Sequence, residues 1–536
     1  MEILKYIFGM SVTGSMLFLI FMLLRPLTGR VFSKSWHYKA SVIILVFFIL
    51  PIGVLFKNPF NVAANLVSSG IVEEVNKDNI SEIDDDVKDT GRIQSTTEGH
   101  YMGKAVSCSV ASANSEGKDN DPVIVYIKND GLYFNCLSNG EEVKIQEGES
   151  FSHPVFSKSG DYITYNNNGS LYIYDIKNRE YEKIADEVNS YDWIDGESII
   201  YSTFESGFYR LNFKDKETVK QSDEHYYDNF KAADNNIVYG RRTSKLTEDG
   251  REINAADGIV EINLNEYDFE IQKFPSDIII EGKMPTDDSM GYDPMIWDIT
   301  DDGRYVFIKE TFMSASISND FGGIGVYDTE TEIHTDFTDI YKADENMSER
   351  DLIVVPRNNN LAINPCNNNI ISIIKGGGRD IIMNKEAVLL EINEDKIYNA
   401  VSITGENLVA STPGFSADGK KLMYSATASV DPNEYKDNIG NTDYRIILED
   451  WEKQPHNIYE YDLETAETKK LTQGDSFDIM PVGVSKDTVL FLRHKEDDYS
   501  NFSLMKVTDG KEEFITDNIV YDDYIGYMEN SIDIFH

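Results

Sequence analysis

Apolar and polar residues alternate in short runs through most of this chain. Val123-Ile124-Val125-Tyr126-Ile127 is followed, after a polar pair, by Gly131-Leu132-Tyr133-Phe134. The same couple returns as Asp161-Tyr162-Ile163-Thr164-Tyr165 with Ser170-Leu171-Tyr172-Ile173-Tyr174, and again at 198–201 with 207–213 and 236–239 with 258–264. Further copies lie at 302–309 with 323–328, near 370–392 in a degenerate form, from Pro413 onward, and at 487–492 with 502–507. Runs of period two bounded by Gly, Asn and Asp predict half-buried antiparallel strands. Asp302-Gly303 and Asp418-Gly419 supply the positive φ that a tight hairpin needs.

The best-preserved copy runs from Pro413 to Gly474. It reads Pro413-Gly414-Phe415-Ser416-Ala417-Asp418-Gly419-Lys420-Lys421-Leu422-Met423-Tyr424-Ser425, then Ile458-Tyr459-Glu460-Tyr461-Asp462-Leu463-Glu464-Thr465. These residues resemble the repeat of TolB-like and dipeptidyl-peptidase-like (WD40-like) β-propellers. Repeats of about 50 residues are the ordinary size of a four-stranded blade. The predicted fold class is therefore all-β: a β-propeller of seven or eight blades over residues 121–536. The chain end, Ser531-Ile532-Asp533-Ile534-Phe535, copies the blade once more. It is expected to complete the first blade and remove exposed sheet edges. Both chain ends offer the same middle strands, so how they share that blade stays open.

Ahead of the repeats the pattern changes. Tyr6–Leu24 and Ala40–Phe56 are uncharged apolar runs, and the loop between them carries Arg25, Arg30, Lys34 and Lys39 with no acid. About 20 apolar residues span a bilayer, and basic loops stay cytoplasmic. Residues 1–57 are thus expected to form a transmembrane helical hairpin in the plasma membrane with both termini outside. Residues 58–120, rich in Ser, Asn, Asp and Glu, read as an acidic flexible linker. Ser11-Val12-Thr13-Gly14-Ser15, Leu23-Leu24-Arg25-Pro26, Ser35-Trp36-His37-Tyr38 and Leu50-Pro51 resemble the first two helices of BlaR/MecR-type antirepressor metallopeptidases. That resemblance implies a signalling membrane protein. It stops short of the enzyme, because none of the eight His is followed by Glu and the H-E-x-x-H zinc motif is absent.

Charge and candidate chemistry refine the picture. The net charge is −44, with the excess of acid carried by the part after residue 57. Nucleic acid is a poor partner for such a surface. Three cysteines make no disulfide framework. There is no G-x-S-x-G elbow, and the S-x-x-K matches at Ser115, Ser372 and Ser503 fall in linker or strand-like sequence. No catalytic residue, metal site or cofactor is expected from these motifs. Long insertions at Gly240–Asp257, Glu310–Gly322 and Thr427–His456 all fall between second and third strands, and so on one face, forming a crown. Within it Arg241, Arg242, Tyr435, Tyr444, Arg445 and Trp451 are residue types that favour interfaces. The expectation is a non-enzymatic module, sensing a peptide or small ligand or another membrane or exported protein. An envelope scaffold recruiting an exported protein is the alternative, and a degenerate hydrolase the least favoured reading.

Overall fold

The computed structural model describes residues 122–535 apart from 138–139, 249–250, 285–290, 292, 312–323, 338–359, 377–384, 394–395, 437–445, 448–449, 452, 496–497 and 521–530. The expected membrane hairpin and linker lie outside the described residues. No helix among those described is long and apolar enough to cross a membrane.

The alternating runs form eight four-stranded antiparallel units among the described residues. Taken in chain order, blade 2 spans 151–185, blade 3 188–221, blade 4 226–281 and blade 5 293–336. Blade 6 spans 361–402, blade 7 408–470 and blade 8 477–520. Blade 1 is composite. Its three outer strands come from 123–147, and its innermost strand is Ile532–Phe535 from the end of the chain. Val123 faces Phe535 and Tyr126 faces Ile532 across that pairing. The terminal segment is thus an inner strand, which settles how the two ends share a blade. A single pairing, Lys128↔Ile519, joins blades 1 and 8 into one ladder.

Buried apolar residues show that the units close into a ring. Every pair of neighbouring blades shares one cluster. Phe134, Phe156 and Tyr165 fill the seam of blades 1 and 2, and Ile173, Trp193 and Ile199 that of 2 and 3. Phe208, Phe230 and Val260 follow, then Tyr239, Ile296 and Val306, then Phe307, Phe337 and Ile373. Leu389 with Tyr424, Met423 with Phe491, and finally Leu490 with Ile124 carry the seam back to blade 1. The fold is a closed eight-bladed β-propeller.

Two local devices recur. The second and third strands of blades 1, 2, 3 and 7 place a Tyr opposite a Tyr, as in Tyr165 and Tyr172, whose rings stack at 5.5 Å, and Tyr201 and Tyr209 at 5.0 Å. Such cross-strand aromatic pairs stabilise a sheet by about 0.5–1.5 kcal/mol beyond their area. The turn between first and second strands needs a left-handed residue. Gly419 has φ +65°, and a Cβ there would lie 2.3 Å from Asn364 Oδ1 of the preceding blade. The adjoining Ser416 hydroxyl donates to Asp418 Oδ1 at 2.7 Å, which fixes the turn.

Candidate functional site

The insertion at Gly240–Asp257 is not a loop. The second and third strands of blade 4 simply run on, as Ile237–Glu248 and Arg251–Asn263, in a long hairpin standing on the crown face. Arg241 and Arg242 are strand residues at its base. The register slips between Arg242 and Thr243, which pair with Gly258 and Ala256 and leave Asp257 as the extra residue of a β-bulge. Bulges turn a side chain out of its regular alternation. Here the Asp257 carboxylate is delivered into a polar cluster. Gly258, at φ +134°, makes the bulge possible, since a Cβ there would sit 1.9 Å from Ile280 O.

Into the same place runs the link between blades 3 and 4. Asp223 accepts the backbone N–H of His225 at 2.8 Å, a turn that presents the imidazole to the hairpin. His225 Nδ1 lies 2.9 Å from Ser244 Oγ. The Ser244 hydroxyl also reaches both Asp257 oxygens, at 2.9 and 2.8 Å, and donates its proton there. On the far side of the ring Nε2 faces Asp223 Oδ1 at 3.6 Å, a charge contact rather than a hydrogen bond. Arg242 Nε donates to Asp257 at 3.1 Å, and Lys273 Nζ approaches Asp223 at 3.7 Å. His225 and Asp257 are both part-exposed, at 26% and 20%, so the cluster opens to solvent.

Electrostatics sort the carboxylates. Burial pushes Asp223 up, but the His225 N–H, the Tyr227 hydroxyl and the charges of His225 and Lys273 outweigh it and hold the group below the ordinary range. Asp223 therefore stays ionised beside the imidazole. On the same strand, Arg241 is shared between Asp228 Oδ2 at 3.1 Å and Asp293 Oδ2 at 2.7 Å. Burial raises both of those carboxyls, and Arg241 offsets the effect only in part. The chemistry available is that of a serine hydroxyl with a base within reach and a carboxylate behind the base. No group of three or more His, Cys, Asp or Glu that would hold a metal ion occurs among the described residues.

Of the residues singled out in the sequence, Arg242 belongs to this cluster and Arg241 to the neighbouring Asp228–Asp293 pair, each already ion-paired. Trp451 and Tyr435 lie on the blade 7 insertion and pack on Val430 and Ile447. The Trp451 ring also meets His456 edge-on at 4.5 Å. Tyr444 and Arg445 lie outside the described residues. Asp223, His225, Ser244 and Asp257 were not singled out, because three separate segments supply them and no short motif joins them. An Asp-x-His turn directly before a strand was the one local signal.

The fold and this site define a β-propeller with a polar, solvent-open cluster on one blade. No family model and no curated protein matches the chain. Among solved structures it is similar to tricorn protease, at 14% identity and TM-score 0.37, over 72% of this chain and 37% of that one. It is similar to dipeptidyl peptidase 4 of Porphyromonas gingivalis at 11% identity and TM-score 0.45, over 75% and 59%. It is also similar to TolB of Agrobacterium tumefaciens at 10% identity and TM-score 0.30, over 78% and 99%. The chain thus spans little more than a third of tricorn protease and under two thirds of the dipeptidyl peptidase. At these identities the likeness concerns the fold. Peptidases stand among these structures, which does not bear out the expectation of a non-enzymatic sensor or scaffold; the likeness itself is one of fold alone.

Proposed function

We propose that the chain is a hydrolase of acyl compounds, with Ser244 as nucleophile, His225 as base and Asp223 as the charge that steadies the imidazolium. The observation that carries this reading is the Ser244 Oγ to His225 Nδ1 distance of 2.9 Å with the Asp223 carboxylate beyond the ring. In the reacting state the hydroxyl turns from Asp257 to Nδ1. Oγ then bonds the substrate carbonyl carbon, its proton passes to Nδ1 and on to the leaving group, and water releases the acyl group by the reverse sequence. A neutral or cationic polypeptide suits the acidic surroundings better than an anionic substrate. Tyr435 and Trp451, on the same face, are assigned to contact with that polypeptide.

A fluorophosphonate probe, which phosphonylates activated serines, tests the assignment. Labelling should map to Ser244, vanish in Ser244→Ala and slow at least 100-fold in His225→Ala, the size of a lost general base. An unlabelled protein, or label that persists in Ser244→Ala, would reduce the cluster to a brace between hairpin and disc.

The proposal extends to placement. The basic 25–39 loop puts residues 1–57 in the plasma membrane with the propeller outside. Protease added to intact cells is then expected to cut in residues 58–120 and release a head of roughly 45–50 kDa. A head that survives until the cells are lysed would reverse the orientation.

A further inference from the structure

Blade 4 displays a knob that the fold leaves uncovered. Residues 264–275 join its third and fourth strands, and within them a tight turn folds on itself. Asp268 and Lys273 exchange both backbone hydrogen bonds, at 2.9 and 3.2 Å. The Asp268 carboxylate accepts the N–H groups of Glu270 at 2.8 Å and Ile271 at 3.2 Å, which fixes the tip. Two more bonds tie the turn to the end of blade 3. The Ser222 N–H donates to Gln272 O at 3.1 Å, and the Tyr267 hydroxyl to Lys220 O at 3.0 Å. At the root, the Tyr267 and Phe274 rings lie 4.7 Å apart in the seam of blades 3 and 4. The tip itself stays in solvent. Phe269 is 80% exposed and Ile271 60%, with the Phe269 ring meeting Tyr267 edge-on at 4.8 Å.

We propose that this knob is a docking surface for a basic, apolar polypeptide segment of another protein. A loop free to move would spend binding energy on being ordered, whereas this turn is already pinned by its own hydrogen bonds. What it holds out, an aromatic ring with an aliphatic neighbour, is what anchors a protein interface. Charge selects the occupant. Glu266, Asp268 and Glu270 are exposed and alternate with Tyr267, Phe269 and Ile271, so each apolar side chain is flanked by carboxylates. The turn's own cation, Lys273, leans toward Asp223 at 3.7 Å and leaves that rim acidic. A second copy of the chain would bring two such rims together, and anionic lipid would be repelled in the same way. Residues 58–120 of this chain carry an excess of acid and are repelled too. A segment in which Lys or Arg stands beside apolar side chains satisfies both the tip and its rim.

Fluorescence anisotropy of the full chain with a labelled peptide of alternating Lys and Leu reads the docking, and a peptide of alternating Glu and Leu is its control. The Lys peptide should bind, and the double variant Phe269→Ser with Ile271→Ser should weaken it on the order of tenfold or more, the effect of two lost anchors. Both side chains are exposed, so the melting temperature should not move. Glu266→Gln with Glu270→Gln should weaken binding severalfold at low salt and flatten its salt dependence, which general attraction to the acidic body would not do. Equal binding by the double serine variant, or equal binding of the Glu peptide, would overturn the proposal. So would a dimer in size-exclusion chromatography that the serine variant abolishes, which assigns the knob to a second copy. A blue shift of Phe269→Trp emission on adding vesicles of phosphatidylcholine and phosphatidylglycerol, absent from the unaltered chain, would overturn it in favour of lipid.

Discussion

Gly258 carries more of the site than any side chain in it. The bulge it permits takes Asp257 out of the strand alternation and aims it at Ser244 and Arg242. Gly258→Ala places a Cβ against Ile280 O in a conformation that L residues avoid, and is expected to cost about 2–4 kcal/mol in urea unfolding. Where the variant folds with Ser244 still beside His225, probe labelling should not fall, since Asp257 competes with His225 for the hydroxyl proton. Gly258→Ala with unchanged stability would show that the strand relaxes around the methyl group. The buried ion pair of blade 8 is built on the opposite plan. Arg493 grips the buried Asp478 with bonds of 2.7 and 2.9 Å and also meets Glu512, so charge there serves packing. A hydroxyl within reach of an imidazole, and not solvent access, separates the candidate site from this brace, for Arg493 and Glu512 are about as exposed as Asp257.

The blade 7 insertion shows what an element can conceal in sequence. Its residue types suggested a loop displaying anchors, yet Val430 and Ile447 are buried and Trp451 covers His456. The insertion therefore has a small core of its own against the disc. Trp451→Ala is expected to cost about 2–3 kcal/mol of stability, below the value for a fully buried aromatic because the ring is only partly buried, whatever it does to binding. His456 lies beneath it at 1% exposure, and its Nδ1–H is spent on Gln454 O at 2.8 Å. Burial, first, and the nearby His494 lower its pKa to about 4, with the bond to Gln454 opposing. A base that binds its proton less tightly when folded contributes stability above pH 6.5 and loses it as pH falls toward 4, here roughly 2–4 kcal/mol. Denaturant midpoints between pH 4 and 7 should fall with acid, and His456→Gln should flatten that fall. An equal slope in the variant would assign the acid sensitivity elsewhere. The Asp533 carboxyl, raised by burial to about 6, contributes the opposite slope, so only the difference between His456→Gln and the unaltered chain isolates His456. Why the site stayed illegible is now plain. Asp223, His225, Ser244 and Asp257 meet through a bulge and a blade-to-blade link, and neither leaves a periodic trace.

At the scale of the whole molecule the ring was largely readable, and for a physical reason. Second and third strands are buried on both faces between neighbouring blades, so they must keep apolar residues in register. All eight copies seen in the sequence coincide with those strands, the degenerate one at 370–392 included. Innermost strands were harder to see because they bulge and carry polar groups toward the channel, as Phe151-Ser152-His153-Pro154-Val155-Phe156 does with its slip after Ser152. The closing strand belongs to this class, which is why its place beside Val123–Tyr126 had to come from the structure. Its removal makes the last prediction. Without residues 531–536, Val123–Lys128 becomes an open sheet edge, and Ile127 N–H loses its 2.9 Å bond to Ser531 O. Phe156 loses both the Phe535 ring and its Asp533 acceptor. Seven blades keep all four strands and most of their seams, so global unfolding is not required. Blade 1 is instead expected to melt in a separate, earlier transition, because fewer contacts tie it to blade 2. The exposed edge should also draw copies together at micromolar concentration. Calorimetry and size-exclusion chromatography of the truncated chain measure these two effects. One transition at the temperature of the intact protein, with a monomeric profile, would mean that the ring stays shut through its outer seams and that the terminal strand is no closure at all.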